Sequence, residues 1–285
     1  TEVSTDRRSV RVSPPLQHLH YGVIEEMGGA SFDMRAEVAL LTRNVVLTGD
    51  GGLDDMFGPT IMMHTSGGNN SVIGRFTNFE CVACGQAFNI GRYPIHYHLA
   101  GGVHESFVRN SSVHDSFNRA LTIHGVHGLR AEHNVMTDNA GHNIFFEDGI
   151  ETKNILRHNL VMGTRSSGGL LKSDAAPASF WITNPDNVLE DNVAAGSERY
   201  GFWYDLPNHP SGGSTTTLVC PTGTPLLSFR RNTAHSNGRY GLRLFRAHVP
   251  REDACDPYPI SLRNRAGSSV PGVDTRKNKH VTAQY

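Results

Sequence analysis

The sequence contains no stretch of eighteen apolar residues, so nothing in it reads as a membrane-spanning helix. Its opening residues, TEVSTDRRSVRVSPP, hold no apolar core of the kind a secretory signal needs, and no signal peptide is visible. Neither sign of charge dominates: 26 Lys+Arg stand against 27 Asp+Glu, a formal net charge of −1. That balance excludes the basic excess of a nucleic-acid-coating surface. Cysteine is scarce, with only Cys81, Cys84, Cys220 and Cys255. Cys81-x-x-Cys84 has no second CxxC to complete a four-thiolate zinc site. The four read as one or two disulfides of a secreted protein, or as buried thiols, with the pairing open. Only 19% of the residues are charged, and apolar residues recur along the chain, which excludes general disorder. At 285 residues a folded unit buries roughly three-quarters of its unfolded surface.

What is abundant is histidine, with 16 residues, together with Gly and Asn. Imidazole is the commonest metal ligand and titrates near neutral pH. The strongest pattern is internal repetition. NVMTDNAGHNIFFED from Asn134, NVAAGSERYGFWYDL from Asn192 and NTAHSNGRYGLRLFR from Asn232 align without gaps. NSSVHDSFNRALTIHG from Asn110 joins them with one extra residue. Three residues before the Asn of each repeat stands an apolar side chain: Phe107, Ala131, Leu156, Leu189 or Phe229. The unit is strand, Asn turn, polar loop, strand, turn, and it leaves no room for a helix. Such a chain predicts an all-β solenoid with stacked turns, in which the recurring Asn side chains either stack inward as an amide ladder or simply suit left-handed turns. The longer late spacings read as insertions or an extra rung, and 206–224 as a long insertion. We expect one domain over 1–285: a lead-in segment to residue 35, rungs over about 36–245, and an irregular C-terminal tail over 246–285.

RYPIHYHLAG (92–101), SFNRALTIHGVHGL (116–129), EDGIETKN (147–154) and PASFWITNPDNVLEDNVAAGSERYGFWY (177–204) resemble one family of surface proteins. The family comprises fibrocystin, fibrocystin-like protein, the cell-migration-inducing hyaluronan-binding protein and the transmembrane hyaluronidase. The resemblance implies a right-handed parallel β-helix and a large extracellular or ciliary-surface parent protein. It also implies a preceding glycine-rich domain not seen here, so the chain reads as a piece of something larger that assembles with other domains or chains. The partners it implies are a hyaluronan-like glycan or other surface proteins.

Strand parity places candidate chemistry on the outer face. In RYPIHYHL, Tyr93, Ile95, Tyr97 and Leu99 share the core face, leaving Arg92, His96 and His98 outside. The same reasoning turns Thr122 and His124 outward, and also Phe145 and Glu147. Stacked rungs then align His98, His124 and Glu147, continued by Asp205, beside a column of His96, Thr122, Phe145, Trp203 and Arg243. Two imidazoles and a carboxylate at rung spacing suit one divalent metal ion. On this reading His98, His124 and Glu147 are ligands, and His96 and Glu147 are the acid/base pair, with Asp148 a further candidate. Arg92, Phe145, Trp203 and Arg243 suit a groove for uronate-bearing sugars, unless a loop such as 206–224 covers them. Glu147 and Asp148 adjoin in sequence but point to opposite faces, which makes them a poor hydrolytic carboxylate pair. Asn69 heads an exposed-looking glycosylation sequon, whereas the one at Asn110 reads as buried in a turn. Two functions follow: a rigid, non-catalytic surface module that binds glycan or protein, and a metal-dependent glycan depolymerase of hyaluronidase type.

Overall fold

The computed structural model describes residues 2–6, 8–19, 21–50, 54–65, 72–168, 172–245 and 247–256. The chain divides into two compact units, Thr1–Leu40 and Leu41–Tyr285. The first carries two antiparallel ribbons where the sequence showed little pattern. Glu2–Val3 pairs with Val10–Arg11, and Ile24–Met27 pairs with Ala30–Asp33 around Gly28 and Gly29. The second unit is a parallel β-helix with three sheets of six, seven and seven strands. No α-helix occurs among the described residues, and no helix is long and apolar enough to cross a membrane.

Each rung visits the three sheets in turn. One rung runs through Phe107–Arg109 in the first sheet, Ser112–His114 in the second and Leu121–His127 in the third. The core is filled by one side chain per short strand. Val108, Ala131, Leu156 and Leu189 stack beneath the first sheet, and Cys81, Val113, Met136, Val161 and Ala194 beneath the second. Between these two sheets the chain turns through a left-handed residue, for example Asn110 (φ 50°), His133 (57°), His158 (52°) or Asp191 (57°). The next residue then points inward.

At that corner lies the amide ladder. Asn134, Asn159, Asn192 and Asn232 stack in order. Each Oδ1 accepts from the main-chain N–H one rung earlier, at 3.0–3.1 Å. Asn134, Asn159 and Asn192 donate their Nδ2 to the Oδ1 of the following rung at 2.9–3.0 Å. Every Nδ2 also donates to a core-strand carbonyl at 2.8–2.9 Å. Asn154 and Asn187 repeat the device at another corner. Asn110 is not a member. It occupies the left-handed slot and is exposed, contrary to the buried turn expected of it, while Ser111 takes the ladder slot. The extra residue in that repeat is this one-position offset, and it moves Val108 rather than Phe107 into the core. Asn69 lies outside the described residues.

The third sheet positions the site. Its strands are Ile61–His64, Ile95–Gly102, Leu121–His127, Ile144–Phe146, Ala178–Ile182, Tyr200–Asp205 and Tyr240–Phe245. The rung at Ala178–Ile182 was concealed by an insertion, and it places Trp181 between Phe145 and Trp203 in the outer column. Phe145 (1% exposed), Trp181 and Trp203 pack on Tyr200 in a second small apolar cluster. The Arg119 guanidinium caps the Phe145 ring at 3.8 Å, and that of Arg243 caps Trp203 at 4.0 Å. Phe145 and Trp203 therefore offer no open ring face to a sugar, which corrects the groove expected of them. Tyr93 is also displaced. It is buried outside the core cluster, against His96, and accepts a hydrogen bond from Arg119 at 3.0 Å.

Arg119 is itself buried and paired with buried Asp174 at 2.7 Å. His142, fully buried beside them, accepts the Ala178 N–H at Nδ1 (3.0 Å) and stacks on Phe145 and Trp181. Both disulfides form: Cys81–Cys84 within a rung, and Cys220–Cys255 between the 206–224 insertion and the C-terminal segment. Residues 249 and 251 lie along 222–223 through main-chain hydrogen bonds.

Two expectations follow. Asn159→Ala orphans the Asn134 N–H and the Ala131 carbonyl, so urea unfolding should show a loss of about 3 kcal/mol. Asn110→Gly at the neighbouring left-handed corner should stay within about 0.5 kcal/mol. Burial also holds the His142 imidazolium at a pKa of about 3. The folded chain keeps His142 neutral while the unfolded chain protonates it below about 6.5. Stability from this group is complete above that pH and falls with acid by up to about 1.4 kcal/mol per pH unit. The urea midpoint should drop between pH 7 and 5, and His142→Asn should flatten that drop.

Candidate metal centre

In-register pairing stacks two outer columns on the third sheet. Met62, His96, Thr122 and Phe145 form one, and His64, His98 and His124 form the other. Glu147 continues the second column, one residue past the strand Ile144–Phe146. After His124 the pairing slips: His124 faces His98, but Val126 faces Gly101. Leu99 (φ 47°) and Gly125 (φ 58°) absorb the slip in left-handed conformations. Ala100 rather than Leu99 therefore enters the core, and Leu99 lies over Gly125, where any Cβ would sit 2.6 Å from its Cδ2. The bulge ends the regular pairing of these two strands at His124.

Three imidazoles converge here. One ring nitrogen from each of His96, His98 and His124 lies within 4.8 Å of the others. His98 Nδ1 is 3.3 Å from His96 Nε2 and 3.1 Å from His124 Nδ1. His96 donates its Nδ1–H to the Gly91 carbonyl at 3.0 Å, which leaves Nε2 with its lone pair turned to the cluster. His124 Nε2 pairs with Asp148 Oδ2 at 2.9 Å, which leaves Nδ1 turned the same way. This is how metal-binding imidazoles are oriented, each outer nitrogen held by a carbonyl or a carboxylate.

The supports extend outward. Ser214 N–H donates to Asp148 Oδ2 at 3.0 Å, and the Ser211 N–H to the Asp148 carbonyl at 3.0 Å. The 206–224 insertion thus returns over the site, and Gly212 is required there because a Cβ would lie 2.4 Å from Asp148 Oδ1. Glu151, fully buried, accepts the N–H groups of Gly125, Asp148 and Gly149 at 2.8–3.1 Å, bracing both sides of His124.

Electrostatics separates the imidazoles. Burial holds His96 at a pKa of about 3, and it lowers His98 with help from the neighbouring His124 and His64. Burial also works to lower His124, but the Asp148 hydrogen bond and the charges of Glu147 and Asp148 outweigh it and raise the group. Burial raises Glu147, with His124 and Arg119 opposing it. His96 and His98, held neutral, have lone pairs available for a cation, whereas His124, whose charged form its carboxylates favour, gives up its Nδ1 proton to offer one.

The residues read as site candidates distribute as follows. His98 and His124 meet as expected, and His96 joins them as a third converging nitrogen. Glu147 stands just outside that trio, with Oε2 3.3 Å from His124 Nδ1. Asp148 is not turned away from Glu147: the strand ends at Phe146, so both carboxylates flank the same imidazole, one at each nitrogen. Arg92 is exposed in the turn before Ile95. Arg243 lies five rungs from His96 in the same column, about 24 Å at 4.8 Å per rung, and bonds Tyr200 at 2.6 Å. Arg92 and Arg243 therefore stand at distant points of the chain's outer wall, and Asp205 stands two rungs beyond Glu147. His64 was missed, because only the register puts its ring 5.3 Å from that of His98. Asp148 as the partner of His124 and Glu151 as the brace were equally hidden, since both act from a turn.

Comparison with known proteins agrees with this architecture. The CEMIP beta-helix family matches residues 56–176 and 170–242. Human Fibrocystin-L is 37% identical over 284 residues, covering 87% of this chain and 7% of the relative. Human Cell surface hyaluronidase CEMIP2 is 35% identical, covering 95% of this chain and 22% of the relative. The mouse Cell migration-inducing and hyaluronan-binding protein is 34% identical, covering 82% and 20%. The chain thus spans less than a quarter of each of these relatives. By the extent of the family match, its repeat architecture and its identity to these proteins, the chain belongs to the CEMIP beta-helix family.

Proposed function

We propose that this β-helix is an extracellular surface module that holds one divalent cation at His96, His98 and His124 and acts through it on an acidic, hyaluronan-type glycan. The observation that carries the reading is the convergence of three imidazole nitrogens, two of them oriented by outer partners. Three histidines leave a coordination position open, the arrangement of catalytic rather than structural sites. The all-nitrogen donor set favours a borderline ion such as zinc over calcium. Such an ion supplies Lewis acidity and lowers the pKa of bound water.

The chain's own residues do the rest. Asp148 fixes the ring orientation of His124, and the Gly91 carbonyl fixes that of His96. Glu147, raised by burial and next to the cluster, is the group placed to hold and return a proton. Arg92, open to solvent and next in sequence to the Gly91 whose carbonyl holds His96, is the cation available to a uronate carboxylate. Two of the relatives carry hyaluronan or hyaluronidase in their names, which supports the substrate class and a cell-surface setting.

A second reading, a rod that binds glycan or protein without cleaving it, draws support from the closed aromatic wall. Phe145, Trp181 and Trp203 are packed away rather than lining an open groove.

Elemental analysis of the purified chain should find close to one equivalent of a divalent ion, and His124→Ala should lose it. Asp148→Asn should keep the ion with affinity reduced roughly 10- to 100-fold. Incubation with hyaluronan and sizing of the product separates the two readings. Shortening that depends on the ion supports cleavage, and no shortening with any divalent ion leaves binding alone. Failure to hold any ion would remove the centre itself.

A further inference from the structure

The three imidazoles occupy three corners of a square of outer side chains. His96 and His98 lie on one strand, two residues apart and so on one face. His124 faces His98 across the ladder, and the residue that faces His96 is Thr122. Thr122 is therefore the fourth corner, beside His124 on its own strand and beneath His96 in its own column. Its side chain is completely buried, yet its Oγ1 has no hydrogen-bond partner. Leaving a buried hydroxyl unpaired costs about 1–3 kcal/mol. A valine would fill the same place in a β-strand without that cost.

A second orphan stands one rung further on, past His124. Glu147 Oε2, also shielded from solvent, has no hydrogen-bond partner and only the 3.3 Å approach to His124 Nδ1. Glu147 follows Phe145 by two residues, and Phe145 faces Thr122. The two unpaired oxygens thus flank His124, Thr122 beside it on its own strand and Glu147 one rung further on. Both accept hydrogen bonds, and a hydroxyl can also donate. Two unsatisfied oxygens flanking His124, one of the three converging imidazoles, describe a place for an oxygen ligand that carries hydrogens.

We propose that Thr122 is a positioning residue for the open coordination position. Its Oγ1 accepts a hydrogen bond from the water, or from the sugar hydroxyl that replaces it, on the cation held by the three histidines. Glu147 takes the other hydrogen of that ligand. With both hydrogens directed, the remaining lone pair of the oxygen has one orientation. The inference rests on the three-histidine centre proposed above and adds to it the residue that aims its exchangeable ligand.

The test uses the full chain loaded with Co²⁺, whose visible absorption reports its ligands and the protonation of a bound water. The wild-type chain should bind Co²⁺ and show a band that titrates with pH. In Thr122→Val the three imidazoles remain, so affinity should change by less than about 10-fold, the loss of a single hydrogen bond. The titration of the band should instead shift by on the order of one pH unit. Thr122→Ser, which restores the hydroxyl, should return it to the wild-type position. Superimposable band and pH profile for wild type and Thr122→Val would overturn the role of Thr122 while leaving the centre intact. Abolition of Co²⁺ binding by Thr122→Val, with circular dichroism unchanged, would also overturn it, because Thr122 would then be a ligand rather than an orienter. A wild-type chain that takes up no Co²⁺ would sink the centre, and this inference with it.

Discussion

Everything in this molecule depends on one constraint: each rung must lie directly over the last, residue upon residue. The ladder amides enforce it. An Asn at the corner spends its oxygen on the rung before it and its nitrogen on the rung after it and on a core carbonyl, so a one-residue slip breaks several bonds together. The slip would also exchange the inner and outer faces of every strand it touched. The sequence distance between successive ladder bonds grows from 23 to 25, 33 and 40 residues, while their lengths stay at 3.0–3.1 Å. The register is a property of the corner and not of the segment lengths between corners.

From that register comes the chemistry of the outer wall. Histidines 26 or more residues apart become neighbours because their strands pair, and two histidines on one strand become neighbours because alternate residues share a face. Burial then does the electrostatic work. It keeps His96 and His142 neutral by the same desolvation, but their surroundings differ. His142 is wrapped in aromatic rings and backbone, whereas His96 opens its free nitrogen onto two more imidazoles. Equal titration behaviour therefore accompanies a packing role in one case and a ligand-competent geometry in the other.

Much of this was legible in the sequence. The solenoid with its stacked Asn turns, the outer placement of His96, His98 and His124 and the alignment of His98 over His124 all follow from repeat spacing and strand parity. Each misreading traces to one residue doing something the pattern does not encode. Ser111 stands in an amide slot, so the neighbouring Asn110 looked like the repeat anchor. Leu99 adopts a left-handed conformation, which breaks parity and sends Ala100 inward. The strand Ala178–Ile182 followed an irregular segment and was left out of the outer column, which hid Trp181. Asp148, Glu151 and Asp174 act from turns and short 3₁₀ segments, where no periodicity announces which way a side chain points.

Both long departures from the repeat return to the same wall. The segment before Ala178 brings Asp174 to Arg119, and the segment after Asp205 brings Ser211 and Ser214 to Asp148. Neither disturbs the corner bonds on either side of it. The frame and the supports of the wall are consequently built separately: one is fixed by stacking, while the other is carried on excursions whose length the corner bonds do not set. A lineage could retune what the centre admits by rewriting these two excursions alone, with every rung left as it stands.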